Sequence, residues 1–317
     1  IILALGFMGC MVQSNSIAET MNTAFGIPTW VMGLIVVILA GTVFIGGVSR
    51  LAAVTEKIVP VMAILYALGS LVVLIMNAAN IPATFALIFQ CAFNPDATVG
   101  GATFGIIAAI SQGAKRGLFS NEAGMGSTPH AHALAEVKDP HEQGVVAMIG
   151  VFVDTIIVVT MTALVVLSVL YVGDGTLATG DYATLTAETI TKTNIAQLAF
   201  GQFFGANVGA WFVAICLLFF AFSTILSWNL FAKLNVEWLF GKRAVLPFTI
   251  IALAFIFMGS LLSNDLVWEL ADMFNQLMVI PNAIALFALS GAVLAIANAK
   301  HDKRALDAAE ERLEDQE

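Results

Sequence analysis

Charged residues are scarce in this 317-residue sequence. Only 11% of its residues are charged, whereas 59% are hydrophobic, and soluble globular domains carry about 25% charged residues. The net charge of −9 also leaves the sequence without the basic surface by which proteins bind nucleic acids. These shortages exclude a water-soluble enzyme, a disordered chain and a nucleic-acid-binding protein. They indicate a protein whose solvent is the lipid bilayer.

Cysteine is also scarce. Cys10, Cys91 and Cys216 lie far apart in apolar surroundings, and their spacing fits neither a disulfide framework nor a metal site. We interpret them as small hydrophobic residues, and we expect no cofactor. The sequence lacks an initiator Met and begins at Ile1 within a hydrophobic run. This start predicts the C-terminal portion of a longer protein.

Long runs without charge recur along the whole sequence. A helix that crosses the hydrocarbon core needs about 20 mostly apolar residues. Applying this length predicts an all-α, multi-pass membrane protein with about eight crossings. They fall at residues 1–18, 30–49, 58–76, 102–135, 145–171, 208–231, 245–262 and 269–298.

The distribution of basic residues predicts the orientation. If the eight crossings alternate, ten of the thirteen Lys and Arg residues fall on one side and only Lys192 falls on the other. Cytoplasmic loops carry the excess of positive charge in membrane proteins. We therefore expect a cell-membrane protein with a cytoplasmic C-terminus.

One predicted crossing is interrupted in its middle. Between residues 113 and 130, the residues that weaken or end a helix are Gly117, Ser120, Asn121, Gly124, Gly126, Ser127 and Pro129. Unwound backbone is tolerated at membrane depth only where it is buried in protein or lines a cavity. Its free amides can hold a carboxylate, and its free carbonyls can hold Na⁺ or an ammonium group. A packing kink is the alternative, but the polar side chains of Asn121 and Glu122 favour a binding site.

The interrupted segment resembles a known family signature. The sequence LFSNEAGMGS at 118–127, preceded by Arg116-Gly117 and followed by Pro129, resembles the alanine or glycine:cation symporters (the sodium:alanine symporter family) of the amino acid–polyamine–organocation superfamily. Further motifs resemble the same family in the same order. They are QSNSIA at 13–18, VTEK at 54–57, GVFVDT at 150–155, FAFSTILSW at 220–228, WELAD at 268–272 and FNQLMVIPN at 274–282.

The resemblance implies a fold of two inverted five-helix repeats. On that template, residues 1–95 are the last three core helices of the first repeat, and residues 96–298 are the second repeat with its broken helix. Residues 299–317 form a charged cytoplasmic tail. A second broken helix would lie upstream of residue 1 and would supply half of the binding site.

The resemblance also implies a function, which is sodium-coupled uptake of alanine or glycine by alternating access across the bilayer. No bond is made or broken, so the protein is not an enzyme, and Na⁺ is a co-transported ion. The substrate-binding residues implied are Gln13, Phe119, Ser120, Asn121, Gly124 and Trp228. Sodium would be held by the hydroxyls of Ser223 and Thr224 with the backbone carbonyl of Phe220.

Five of these residues also have a purely structural interpretation. Gln13 can form a hydrogen bond between helices, Ser223 and Thr224 can bond to carbonyls of their own helix, and Phe119 and Trp228 can serve packing alone. Three further residues, Arg116, Glu122 and Asp154, are predicted to have structural or gating roles. We expect Arg116 and Asp154 to form a buried pair and Glu122 to accept hydrogen bonds from nearby backbone amides or hydroxyls.

Two other classes of function remain open. An intramembrane enzyme would use Asp154 with His130 or His132 as acid, base or ligand. The i, i+2 spacing of the histidines places them on different helix faces, which disfavours a shared metal. A passive channel is the second alternative, and saturable Na⁺-dependent counterflow separates a carrier from a pore.

Overall fold

The computed structural model describes residues 1–93, 102–178 and 193–314, and these parts are helical without a β-strand. A π-helical segment, Ile2–Gly9, leads directly into the first α-helix. The α-helices are α1 Cys10–Phe25, α2 Thr29–Ile45, α3 Gly47–Met76, α4 Ile81–Phe93, α5 Ala102–Asn121, α6 Pro129–His132, α7 Pro140–Phe152, α8 Thr160–Leu170, α9 Ile195–Phe204, α10 Ala206–Phe240, α11 Val245–Gly259 and α12 Asn264–Glu314. A second π-helical segment, Val153–Val159, joins α7 to α8 without a break.

Within the part of the chain that the structure describes, five helical segments are long and apolar enough to cross a membrane. They are Gly47–Met76, Pro140–Leu170, Ala206–Phe240, Lys242–Gly259 and Asn264–Ile296. Each contains or overlaps one of the eight crossings predicted from the sequence. The other three predicted crossings correspond to residues 2–25, to α2 and to α5, which are helices outside this set. The count of eight therefore stays a prediction.

Several predicted boundaries differ from the structure. The connection expected around Arg50 and Lys57 is helical because α3 already begins at Gly47. The connection between the crossings predicted at 145–171 and 208–231 contains α9, and Lys192 in this connection lies outside the described residues. The boundary predicted at 95/96 also lies outside them. α12 continues across the boundary predicted at 298/299.

α10 lies at the centre of the bundle. Its buried side chains, among them Ile225 and Leu226, share one core with Ile17 of α1 and Val36 of α2. A second core joins α10 to α3, α8 and α9 around the fully buried Phe200. Because α10 contacts both cores, its middle turns are held from several sides, and these turns carry Ser223, Thr224 and Trp228.

The outward faces of the helices are apolar. Ile64 is 60% exposed, Met148 73% and Phe287 83%, and they belong to helices long enough to span a bilayer. Large contiguous apolar surfaces are rare on soluble monomers. Facing lipid tails instead, these side chains need no protein cover, so the surface is that of a multi-pass membrane protein.

Candidate functional site

The predicted interruption of the helix is present. α5 ends at Asn121, α6 begins at Pro129, and the residues between them are not helical. Glu122, Gly124 and Gly126 have φ angles of 57°, 86° and 92°. Residues in this left-handed region cannot continue a right-handed helix. The interruption predicted between residues 113 and 130 is therefore confirmed, and residues 122–128 form the unwound segment.

Specific contacts hold the unwound segment in place. The side-chain amide of Asn282 on α12 donates to the carbonyl of Gly124 at 2.7 Å. The amide of Ala123 donates to Oδ1 of Asn121 at 2.9 Å. The amides of Gly124, Gly126 and Ser127 have no acceptor among the residues that the structure describes. The segment is thus fixed while it keeps free backbone donors.

Glu122 is tied to α10 by a side chain. The indole N–H of Trp228 donates to Oε1 of Glu122, which is a donor that the sequence did not indicate, and the expected bonds from backbone amides or hydroxyls stay a prediction. The indole reaches the carboxylate because α10 passes directly beside the unwound segment. Oε2 of Glu122 and Oγ of Ser127 are buried and have no hydrogen-bond partner in the described part of the chain. Buried polar atoms of this kind are rare in stable proteins and call for a specific explanation.

Trp228, which binds this carboxylate, belongs to a cluster of aromatic rings. The ring of Phe119 meets the edge of Trp228 with centroids 5.6 Å apart, and it also contacts Trp268 at 5.3 Å. Trp228 is only 2% exposed and lies so close to Gly9 that a Cβ there would stand 2.5 Å from the indole. The two predicted pocket residues, Phe119 and Trp228, are therefore in contact. Because position 9 is a glycine, the chain at the start of α1 can lie directly against the indole of Trp228.

A cavity lies next to this aromatic cluster. It has a volume of about 320 Å³, and Phe119, Met125, Asp272 and Asn275 are among its lining residues. Asn275 is buried, and neither atom of its amide has a partner among the described residues. Phe119 thus contacts Trp228 and also lines a space large enough for a small amino acid.

Gln13 lies on α1 one helical turn beyond Gly9, which contacts Trp228. Residues four apart share a helix face, so Gln13 belongs to the side of α1 that approaches α10. The side chain is half-buried, and no hydrogen bond joins it to the described residues. The substrate role of Gln13 and the alternative interhelical bond both stay predictions.

Arg116 pairs with a different carboxylate from the one expected. Its two terminal nitrogens donate to the two oxygens of Asp272 on α12, at 3.0 and 2.9 Å. Its guanidinium also lies 4.8 Å from the ring centroid of Trp268. The predicted pair of Arg116 and Asp154 is therefore wrong. Asp272 offers a bidentate partner beside an aromatic face, which suits arginine better than a single hydrogen bond.

Breaking the Arg116–Asp272 pair from one side is expected to be worse than removing both charges. Because the side chains are 40% and 21% exposed, we expect Arg116→Gln or Asp272→Asn to cost about 1–2 kcal/mol, between the values for surface and buried pairs. The double variant should cost less than the sum. A double-mutant cycle on thermal unfolding measures this coupling. Lys115→Gln removes the neighbouring cation outside the pair and is the control. Simple additivity would contradict the expectation.

Asp154 lies instead against the last turn of α5. The hydroxyl of Ser120 donates to Oδ2 of Asp154 at 2.7 Å, and the side-chain amide of Asn121 donates to Oγ1 of Thr155 at 3.0 Å. The side chains of Ser120 and Asn121 are thus engaged with the segment that joins α7 to α8. Any contact of these two residues with a ligand near Trp228 would come from their backbone.

The predicted sodium residues share one carbonyl. The hydroxyls of Ser223 and Thr224 both donate to the backbone oxygen of Phe220, each at 2.9 Å. This is the back-bonded arrangement given as the structural alternative. It also brings three oxygens together at one turn of α10, so the sodium assignment stays a prediction.

The histidines do not assemble an enzyme site with Asp154. Nδ1 of His130 lies 2.9 Å from the carbonyl of Ser127, and Nδ1 of His132 lies 2.8 Å from the amide of Gln143. Across residues 1–93, 102–178 and 193–314, no three His, Cys, Asp or Glu residues are grouped to hold a metal. The residues named for intramembrane catalysis are thus engaged in separate local contacts.

Sequence reasoning assigned no role to three residues of α12. Asp272 and Trp268 bind the side chain of Arg116, and Asn282 holds the carbonyl of Gly124. The sequence did mark these residues, because two motifs shared with the family, at 268–272 and 274–282, contain all three of them. What was missing was the spatial pairing of α12 with α5 and the unwound segment.

Comparison with known proteins agrees with the family resemblance. The family model described as "Sodium:alanine symporter family" matches residues 1–314. An uncharacterized transporter of Haemophilus influenzae is 38% identical over 93% of this chain and 62% of its own length.

Two further relatives carry more specific names. The sodium/alanine symporter AgcS of Methanococcus maripaludis is 37% identical over 94% of this chain and 62% of its own length. The putative sodium/proton-dependent alanine carrier protein YrbD of Bacillus subtilis is 39% identical over 96% of this chain and 63% of its own length. The chain therefore spans less than two thirds of the length of these curated relatives, which are named transporters and not enzymes. With a family model that matches nearly every residue, the chain belongs to the sodium:alanine symporter family.

Proposed function

We propose that the complete protein carrying this sequence takes up alanine or glycine together with Na⁺ by alternating access. One observation carries the proposal, namely the interrupted helix with free amides beside the Glu122–Trp228 hydrogen bond. Half-helix ends of this kind bind zwitterionic substrates and their coupling ions in secondary transporters. The relatives named as sodium-dependent alanine carriers support the choice of substrate and ion.

The proposed architecture is that of two inverted repeats. Residues 1–95 would complete the first repeat, residues 96–298 would form the second, and residues 299–317 would form a tail in the cytoplasm. The excess of basic residues on one side of the predicted crossings supports this orientation. The helix interruption supports the assignment of α5 and α6 to the broken helix of the second repeat.

The proposed substrate site lies around the unwound segment. The carboxylate of the amino acid would accept from the free amides near Gly124, and the ammonium group would meet free carbonyls and Gln13. Phe119 and Trp228 would face the substrate side chain and limit its size. Ser120 and Asn121 would contribute backbone atoms, since their side chains bond Asp154 and Thr155.

The proposed sodium site is the oxygen cluster of Phe220, Ser223 and Thr224. Hard cations prefer oxygen ligands, and both hydroxyls keep lone pairs free while they donate to the carbonyl. One Na⁺ that crosses a potential of 100 mV supplies about 2.3 kcal/mol. Coupling requires that ion and substrate together favour the inward-facing state more than either alone.

Reconstitution tests the proposed function. We expect vesicles containing the complete purified protein to accumulate labelled alanine under an inward Na⁺ gradient and to show counterflow. Replacing Na⁺ by choline should abolish accumulation. Uptake that is unchanged in choline would contradict sodium coupling, and flux that neither saturates nor shows counterflow would indicate a channel.

A pair of threonine variants tests the sodium residues within the same assay. Thr224→Val removes one hydroxyl at nearly constant volume, and we expect the Na⁺ concentration for half-maximal uptake to rise about tenfold, as loss of one ligand-type hydrogen-bonding group costs about 1.4 kcal/mol. Thr249→Val is the matched control because Thr249 on α11 is back-bonded in the same way. Equal effects of the two variants would contradict the site.

A further inference from the structure

Asp154 is a carboxylate within a membrane-crossing helix, and it forms no salt bridge with a described Lys, Arg or His residue. It lies near the middle of the 31-residue helical segment Pro140–Leu170. The only salt bridge among the described residues joins Arg116 to Asp272. The contacts of Asp154 are neutral, because the hydroxyls of Ser120 and Thr155 both donate to its Oδ2, at 2.7 and 3.3 Å. A charge at this depth costs about 2.5–3.5 kcal/mol, so such residues normally meet an ion or a water path.

The helix changes its winding at this carboxylate. Val153–Val159 is π-helical, and the hydroxyl of Thr160 donates to the carbonyl of Thr155, five residues earlier. Single π-helical turns inside α-helices occur frequently at functional sites. Asp154 and Thr155 both belong to this turn, so the unusual winding falls on the two residues that contact α5.

The opposing surface is also negative. Ser120 and Asn121 are the last residues of α5, and the C-terminal end of a helix carries about half a negative charge. Glu122 follows directly with a second carboxylate. The nearest cation of α5, Arg116, is already bound to Asp272. The groups that face Asp154 therefore add negative potential and hydroxyl oxygens, which together favour a cation.

We propose that Asp154, with the hydroxyls of Ser120 and Thr155, binds a co-transported Na⁺ in addition to the one assigned to Phe220, Ser223 and Thr224. This second ion rests on the proposed function and specifies its stoichiometry. Carboxylate and hydroxyl oxygens are the ligands that Na⁺ takes as a hard cation. Because Ser120 lies in the last turn of α5, which leads into the unwound segment, the ion links α7–α8 to the segment that holds the substrate. It thereby couples ion binding to the position of that segment.

Asp154→Asn tests this site in the complete protein, since it removes the charge at nearly constant shape. We expect the ratio of labelled Na⁺ to labelled alanine transported to fall by one Na⁺, and alanine uptake at fixed Na⁺ to fall about tenfold, a typical coupling between sites. Asp154→Glu should keep the wild-type ratio. Asp174→Asn is the control, because Asp174 is exposed in the turn after α8. An unchanged Na⁺-to-alanine ratio in Asp154→Asn would overturn the proposal. This holds even if alanine uptake by the variant depends on pH differently from uptake by wild type.

A second measurement separates this proposal from folding and from the proposed function. Na⁺ that binds the folded protein raises its Tm with concentration. We expect this Na⁺-dependent rise to be smaller in Asp154→Asn than in wild type, with choline as the reference salt. If wild type takes up no alanine with Na⁺, the proposed function fails. The comparison of Tm between wild type and Asp154→Asn then tests the Na⁺ site at Asp154 by itself. An equal rise in both proteins would then reject it.

Discussion

Gly126→Ala is expected to abolish most Na⁺-dependent alanine uptake. Gly126 has a φ of 92°, and a Cβ there would stand 2.9 Å from Cβ of Asn282. The left-handed backbone alone costs an L-residue about 1–2 kcal/mol. Displacing Asn282 also weakens its hydrogen bond to the carbonyl of Gly124, and such a bond contributes about 1 kcal/mol to stability. The two effects disfavour the unwound geometry, and we expect uptake to fall by roughly a factor of 30.

The matched control is Gly113→Ala. Gly113 lies within α5, and a Cβ there meets no described atom within 4 Å. Alanine favours helix over glycine by about 1 kcal/mol, so this variant should keep uptake and unfold at the same or a higher temperature. Alanine uptake and Tm are measured for both variants. Wild-type uptake by Gly126→Ala would show that the shape of the unwound segment does not control transport.

The interruption could be predicted because its causes are local. Glycine, asparagine and proline weaken a helix wherever they stand, and the run from Gly117 to Pro129 concentrates them. The left-handed angles at Gly124 and Gly126 follow from the same property. The structure places the unwound residues inside the predicted stretch, as expected for an interruption whose cause lies in the local sequence.

The partner of Arg116 could not be predicted, because it depends on which helices are neighbours. Asp154 follows α5 in the chain and was the nearer carboxylate in sequence, whereas Asp272 lies on α12. The structure brings α12 against α5, so Asp272 takes the arginine and Asp154 takes Ser120. The spacing of residues along a helix predicts which of them share a face. It does not predict which other helix packs against that face.

The predicted crossings are shorter than the helices where charge was taken as the edge of a crossing. α3 includes Arg50 and Lys57, and α10 continues to Phe240, beyond the predicted end at residue 231. Hydropathy reports the part of a helix that lies in hydrocarbon. A helix can extend past that part into water, because lysine, arginine and glutamate are good helix formers. The crossing and the helix are therefore different lengths.

Trp228→Phe is expected to weaken alanine transport while keeping an aromatic ring beside Phe119. Phenylalanine has no indole N–H, so Oε1 of Glu122 would lose its donor, and Oε2 already lacks a partner among the described residues. Leaving a buried acceptor unsatisfied costs about 1–3 kcal/mol and more for a charged group. We expect alanine uptake at low concentration to fall by roughly 10- to 100-fold. Trp238→Phe is the control, since Trp238 is 84% exposed.

Combining this change with Glu122→Gln separates the hydrogen bond from the size of the ring. Once the carboxylate is neutral, loss of the indole donor leaves no unpaired charge, so the double variant should be less impaired than the two single effects predict. The smaller ring should also admit larger side chains. We therefore expect both proteins with Trp228→Phe to favour glutamine over alanine more than wild type does, in competition against labelled alanine. An additive cycle would show that the bond to Glu122 does not hold Trp228 in its working position. An unchanged preference would remove Trp228 from the wall that limits substrate size.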